Sequence, residues 1–264
     1  RHFAIQPYPS GLSETLEWDG RRITIRPVRP EDEPAHRAFI DSLAPDDMRM
    51  RFFHSRPRLE RTELARLLFG LESADRGTLA IDGRTVRFAD PADAIAHGLA
   101  LCPEERKTDG IVGELSVREN IVLALQARMG IGRFLPRTEQ DRLAQRFIAA
   151  LGIRTDSADT PIALLSGGNQ QKAVIARWLA VEPRLLILDE PTRGIDVAAK
   201  QEIMAQILRL ADAGMAVLFI SSEISEVVRV AHRIVVLHDR RKVGELPGGS
   251  SEDEVYELIA AQHA

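Results

Sequence analysis

The rhythm of hydrophobic and polar positions changes along the chain. Ile23-Thr24-Ile25-Arg26-Pro27-Val28 alternates apolar and polar at its start, which suits a short half-buried strand. Upstream, Pro7, Pro9, Ser10 and Gly11 make a loop, and Asp19-Gly20 marks a tight turn. Pro30-Glu31-Asp32 opens a helix expected through Leu43, with acidic residues at its positive end, and a second helix is expected over 45–53. From Arg61 the text reads differently. Residues 61–69 predict a helix that stops at Gly70. Strands at 78–81 and 84–88 flank Asp82-Gly83, a strong hairpin signal, and a short helix at 91–97 leads into an apolar run at 99–102. Helical periodicity over 117–125 and 139–151 predicts a helical insert. Three apolar runs follow, at 185–188, 216–220 and 234–237, with amphipathic helices between them. Strands alternating with helices imply a parallel sheet covered on both faces.

Composition narrows the class. The 264 residues fit one large α/β domain, or a medium domain with an appendage, at about 150 residues per domain. Hydrophobic content of 44% and charged content of 28% exclude wholesale disorder, a collagen-like chain and a disulfide scaffold. A net charge of -4 offers no broad basic field for nucleic acid, and 5% aromatics argue against a base-stacking surface. The single cysteine, Cys102, has no partner in the chain, and residues 1–20 do not read as a signal peptide. Both point to the cytoplasm. No apolar run approaches the roughly 20 residues of a membrane helix, so any membrane role is expected to go through a partner. The seven histidines lack metal-ligand spacing.

The chemistry concentrates in two strings. Leu165-Ser166-Gly167-Gly168-Asn169-Gln170-Gln171-Lys172 places a serine and two glycines before a predicted helix. Ser166 can cap that helix, the glycines allow close backbone approach, and the helix N-terminus attracts anions. Further on, the strand at 185–188 runs into Asp189-Glu190-Pro191-Thr192. A carboxylate at such a strand end can hold magnesium through water, and its neighbour can polarise an attacking water.

These strings resemble the signature motif and Walker B of ABC transporter ATPases. The resemblance runs from about residue 61 to the C-terminus and is nearest the second ATP-binding half of ribose-type sugar importers. It implies Asp189 for Mg2+ and Glu190 as catalytic base, with Ser166, Gly167, Gly168, Asn169 and Gln170 facing nucleotide. Arg193-Gly194-Ile195-Asp196 occupies the D-loop position, which would turn Asp196 toward a partner subunit. Pro103-Glu104-Glu105-Arg106-Lys107 resembles a modified Q-loop, with Glu104 where most relatives place glutamine. In Ser221-Ser222-Glu223, Ser222 stands where most relatives have the H-loop histidine, implying a site without that γ-phosphate sensor. The implied fold is α/β: a RecA-like P-loop NTPase core over 61–246 with a parallel sheet. It carries a helical subdomain at about 115–165 and a tail at 247–264 with a short helix. The implied cofactors are ATP and Mg2+; the implied partners are a membrane permease and a second ATP-binding domain. The implied location is cytoplasmic, peripheral to the inner membrane through the permease.

One part of that pattern is missing. A P-loop needs G-x-x-x-x-G-K-[ST], so that backbone N–H groups wrap the phosphates and a lysine reaches them. The four lysines, Lys107, Lys172, Lys200 and Lys242, all lack a preceding glycine. The equivalent window is Ser55-Arg56-Pro57-Arg58-Leu59-Glu60-Arg61-Thr62, where Arg61-Thr62 matches the sugar-importer second half as a residual P-loop. Ser55 and Glu60 stand at the glycine positions, and Pro57 has no N–H to donate. Losing a single preorganised donor costs about 2.7–4 kcal/mol of transition-state stabilisation, so autonomous hydrolysis is not expected. In the resembled family the P-loop strand lies beside the strand at 216–220; residues 23–26 are the candidate to fill that place.

Residues 1–60 resemble instead the start of a GNAT-type N-acetyltransferase domain attached to NDP-forming acyl-CoA synthetases. The resemblance rests on Arg1-His2-Phe3-Ala4-Ile5-Gln6-Pro7-Tyr8-Pro9, Ile25-Arg26-Pro27-Val28-Arg29-Pro30-Glu31-Asp32 and Arg51-Phe52-Phe53. It stops before that fold's acetyl-CoA loop, so a small α+β fragment without acetyltransferase chemistry is expected. The chain thus reads as a join of two coding sequences near 58–67. Four functions follow as alternatives: an impaired transport ATPase, a pseudo-ATPase lending its signature to a partner, an N-acetyltransferase with an attached nucleotide-binding-like domain, and a fusion without function.

Overall fold

The computed structural model describes residues 14–18, 21–25, 58–73, 77–130, 132–238 and 241–261. The chain divides into two units, residues 1–56 and 57–264. In the first, β1 (Glu14–Trp18) pairs antiparallel with β2 (Arg21–Ile25), with Trp18 opposite Arg21 where the sequence carries Asp19-Gly20. The loop at 7–11 and the helices expected at 30–43 and 45–53 fall outside the described residues.

The second unit opens with α1 (Arg58–Leu68), three residues ahead of the sequence expectation. Gly70 ends it at φ 73°, and a Cβ there would lie 2.8 Å from the Asp90 carbonyl oxygen. Both the left-handed backbone and the close approach demand glycine. β3 (Leu79–Ile81) and β4 (Arg84–Val86) form the expected hairpin, turning through Asp82 and Gly83 at φ 51° and 74°. Positive φ at both residues is the backbone of the tight hairpin turns that match strand twist. α2 (Pro91–Ala96) is capped by the Asp90 side chain and leads into β5 (Leu99–Cys102).

The helical part consists of α3 (Val117–Met129) and α4 (Arg137–Leu151). Ser116 and Glu119 close a reciprocal capping box at the start of α3, satisfying two N–H groups that have no partner within the helix. α5 (Gly167–Leu179), β6 (Leu185–Asp189), α6 (Val197–Asp212), β7 (Ala216–Ile220) and α7 (Ile224–Val230) follow in alternation. β8 (Arg233–His238), β9 (Arg241–Pro247) and α8 (Glu252–Ala260) complete the described chain.

Strands β5, β6 and β7 form a parallel sheet in that order, with Leu99 opposite Leu185 and Leu186 opposite Val217. One expectation is corrected here. The apolar run at 234–237 belongs to β8, which pairs antiparallel with β9; the third parallel strand is β5. Residues 23–25 pair with β1 in the two-stranded sheet of the first unit.

The pleat sorts the sheet's side chains. Ala100, Cys102, Leu186 and Leu188 pack in the main core with Ile121 of α3, Phe147 of α4, Ile175 of α5 and Ile203 of α6. Leu99, Leu101 and Ile187 face the other way, toward Ala65, Phe69 and Ala94. Strands covered on both faces read as continuous apolar runs, as these do. β7 is less covered: Val217, Leu218 and Phe219 are only half-buried. Beside it lies a cavity of about 680 Å³, walled by β7, by β8 through Ile234 and Val236, and by Leu64 and Leu68 of α1.

Candidate functional site

In a parallel α/β sheet the carboxyl ends of the strands present backbone and side-chain groups to one crevice. β6 ends there on Asp189, which is 1% exposed. The next residue, Glu190, has φ 46°, a left-handed conformation that costs a non-glycine residue roughly 1–2 kcal/mol. Three hydrogen bonds hold it. Its N–H donates to the Ile220 carbonyl at 2.9 Å, and its own carbonyl accepts from the Arg193 N–H at 3.1 Å. Its carboxylate Oε1 accepts from the backbone N–H of Ser222 at 2.6 Å. Glu190 and Ser222 therefore meet, but through the serine's backbone.

Behind this contact sits a buried polar network. The Thr192 hydroxyl donates to Glu226 Oε2 at 2.5 Å, and Lys200 Nζ donates to Glu226 Oε1 at 3.1 Å and to Glu223 at 2.6 Å. Burial opposes the Lys200 charge, but its bonds to Glu223 and Glu226 prevail and hold the ammonium above its ordinary range. Glu104, just beyond β5, is ion-paired with Arg193, and Glu105 lies 3.8 Å from the same guanidinium. Asp189, Glu190, Glu104 and Ser222 are thus gathered around one turn.

The glycine-rich string opens α5 beside that turn. Ser166 occupies the N-cap position, yet its hydroxyl makes no bond to the helix backbone. It accepts instead from the Asn169 side-chain amide at 2.9 Å, which corrects the expectation of a capping serine. Gln170 is buried and donates to the Leu165 and Ile162 carbonyls, while its oxygen accepts from Arg106 Nε at 3.3 Å. A Cβ on Gly168 would lie 2.5 Å from the Ala199 Cβ, so glycine lets α5 and α6 approach. A Cβ on Gly167 would sit 2.9 Å from Arg106 Nη2 and 3.6 Å from the Gly194 carbonyl oxygen. Asp196 caps α6 by accepting from the Ala199 N–H, and its neighbour Val197 is 75% exposed.

The donor set fits magnesium in one respect. Asp189 would offer a hard carboxylate oxygen at a strand end, suited to an ion that keeps its waters and shares a nucleotide's phosphates. Among the described residues no group of three or more His, Cys, Asp or Glu is placed to hold a metal unaided. The phosphate cradle does not fit. Arg61 and Thr62 are the fourth and fifth residues of α1, Arg58 to Glu60 are already helical, and the side chains of these residues fall outside those described.

Three contacts were not legible in the sequence: Glu226 with Thr192 and Lys200, Arg193 with Glu104, and a clamp at Arg177. Buried Arg177 donates to the Gly110 carbonyl at 2.6 Å and to the Asn120 carbonyl and side-chain oxygen at 2.8 and 2.7 Å. Burial lowers its pKa from the ordinary guanidinium value. The available signals were polar residues on otherwise apolar helix faces: Asn120 in α3 and Arg177 in α5.

The sequence model of the ABC transporter family matches residues 61–193. The galactofuranose transporter ATP-binding protein YtfR of Escherichia coli (strain K12) is 52% identical over 187 residues, covering 71% of this chain and 37% of that protein. The fructose import ATP-binding protein FruK of Bifidobacterium longum is 47% identical over 202 residues, 76% of this chain and 39% of that one. The arabinose import ATP-binding protein AraG of Ralstonia nicotianae is 48% identical over 193 residues, 71% and 38% respectively. The chain thus spans well under half the length of these relatives. Among solved structures, a nucleotide-free ATP-binding cassette from an ABC transporter superposes with a TM-score of 0.64 at 19% identity, covering 76% of this chain and 79% of that one. A cassette in its ADP conformation gives 0.63, also at 19% identity, covering 76% and 83%. The fold is that of an ABC ATPase cassette.

Proposed function

The chain belongs to the ABC transporter family, and from that premise we propose that it forms the second ATP-binding half of an importer for a ribose-like monosaccharide. In this reading its own nucleotide site is impaired and its signature serves a partner's nucleotide. The observation that carries it is the Ser166–Gln170 string at the N-terminus of α5, built on a chain with no Walker A sequence.

The residues divide the work as follows. Ser166, Gly167 and Gly168 present a hydroxyl and N–H groups at the positive end of α5, suited to the terminal phosphate of ATP held elsewhere. Asn169 and Gln170 fix that turn through their bonds to Ser166, Leu165 and Ile162. Asp196 and exposed Val197, with Leu164 beside the signature, face the second ATP-binding domain. Asp189 holds Mg2+ through water, and the ion would supply charge neutralisation between phosphates. Glu190 would polarise the attacking water only if the chain's own impaired site held nucleotide; Glu104 stands at the Q-loop position and Ser222 at the H-loop position. Arg61-Thr62 retains the end of a P-loop without the preceding N–H groups. We read 61–246 as the truncated ATPase domain with helices at 115–165, and 247–264 as a tail. Residues 1–60 are read as an acetyltransferase-like fragment joined to it without acetyl-CoA chemistry.

Among the described residues no helix is long and apolar enough to cross a membrane. The family resemblance, and not that absence, leads this reading to put the chain at the cytoplasmic face of a permease. Mg-ATP binding to the folded chain, with Glu190→Gln alongside to suppress turnover, tests it. The expected result is no binding at millimolar nucleotide, and ATP hydrolysis when an intact first ATP-binding half is added. Micromolar binding by the chain alone would restore an autonomous ATPase. Absence of stimulation by the intact half would leave a fusion without function.

A further inference from the structure

Two connections leave the sheet side by side: the one from β6 to α6, carrying Glu190 and Thr192, and the one from β7 to α7, carrying Ser221 and Ser222. They touch where the Ser222 N–H donates to the Glu190 carboxylate. Neither residue anchors that contact alone, since Ser222 is exposed and Glu190 sits in a left-handed backbone. The anchor lies behind them. Glu226 is buried on α7, and its Oε2 takes hydrogen bonds from Thr192 on the first connection, at 2.5 Å, and from Ser221 on the second, at 3.4 Å. Its Oε1 takes the Lys200 ammonium of α6. The Ser221 hydroxyl in turn accepts from the Glu223 N–H at 3.0 Å, which leaves Ser222 pinned between two fixed neighbours.

We propose that Glu226 is a positioning residue of the acidic site: it ties both connections to α7 and so aims the Ser222 N–H at the Glu190 carboxylate, which it does not itself touch. Charge-assisted hydrogen bonds to a buried carboxylate are strong enough to set loop geometry. The same bonds oppose relaxation of the left-handed Glu190. The meaning of this arrangement for catalysis rests on the reading of Glu190 as the water-polarising group; the geometry itself does not.

Amide hydrogen exchange of Ser222 in the full chain tests it without any nucleotide. Glu190→Gln calibrates the signal, because it weakens the acceptor directly. Glu226→Gln keeps the shape but removes the ion pair with Lys200, and Thr192→Val removes only a hydroxyl. Both are expected to speed Ser222 exchange about tenfold, the equivalent of one net hydrogen bond. Thr192→Ser restores the hydroxyl and the slow exchange. Amides 186–188 of β6 keep their protection throughout, which separates a positioning role from general loosening. Unchanged Ser222 exchange in both variants overturns the proposal, as does a parallel loss across β6. If Glu226→Gln fails to fold, the Thr192 pair decides alone. Failure of the transport reading would show only in the nucleotide experiments, so the two outcomes remain distinct.

Discussion

β6 and β7 are neighbours in one sheet, paired residue by residue, and carry nearly equivalent text. Leu186, Ile187 and Leu188 of β6 are 0% exposed, while their partners Val217, Leu218 and Phe219 of β7 are half-buried. The difference lies in what stands on each side. β6 has a strand on both edges and helices on both faces, whereas among the described residues β7 has a strand on one edge and a cavity beyond it. A run of aliphatic residues states that a strand belongs inside; its degree of burial is set by neighbours elsewhere in the sequence.

The sharpest way to break the comparison is to truncate matched positions. Ile187→Ala is expected to cost about 2–5 kcal/mol, with chemical denaturation reading the loss. Leu218→Ala, directly opposite, should cost no more than about 1 kcal/mol, because its side chain is already partly exposed and adjoins a void. Equal losses would mean that β7 is as much core as β6.

A similar contrast separates two arginines. Arg177→Met removes the guanidinium donor from the buried Gly110 carbonyl, while Asn120 Oδ1 keeps the Val112 N–H, at about 1–3 kcal/mol for a buried unsatisfied group. Arg184→Met breaks an exposed pair with Asp82 and should stay within about 0.5 kcal/mol. Filling the cavity sharpens the picture from the other side. Leu64→Phe places added apolar surface against β7 and β8 and should raise stability by up to about 1 kcal/mol, where the same enlargement beside β6 would overpack.

A further contrast is in acid. Hydrogen bonds from the Ser116 side chain and backbone, against the opposing pull of burial, hold the Glu119 carboxyl below its ordinary value. Its folded pKa is depressed, so the capping box contributes fully above the unfolded carboxylate pKa. That contribution is lost as pH falls through the folded value. Glu119→Gln should remove this acid-side slope, worth no more than about 1 kcal/mol of cap energy, while leaving the alkaline side unchanged.

Local structure was legible wherever a residue's own covalent constraints decide. Asp82-Gly83 turns because both positions accept positive φ, Gly70 stops α1 for the same reason, and Pro91 opens α2 behind a capping aspartate. The short apolar runs were read correctly as strands. Their assignment to sheets was not, since β8 pairs with the next strand, β9, whose Arg-Lys-Val-Gly-Glu-Leu-Pro carries no apolar run to announce it. The site divides in the same way. The motifs mark Asp189, Glu190 and Ser166–Gln170 by position, but no periodicity shows that Ser222 meets Glu190 through its N–H. Nor does any pattern show that Glu226, more than thirty residues from Thr192, accepts a hydrogen bond from its hydroxyl. Ser166 shows the limit most plainly, for a neighbouring asparagine three residues on claims the oxygen that a capping rule assigns to the backbone.

Gly168 has a consequence beyond chemistry. With Ala199 pressed against its α-carbon, any side chain there would force α5 and α6 apart, whether or not a nucleotide ever arrives. In evolutionary terms this glycine is held in place by helix packing, whatever becomes of the chemistry of the string around it. A lineage that loses that chemistry keeps the residue for as long as α5 and α6 stay this close.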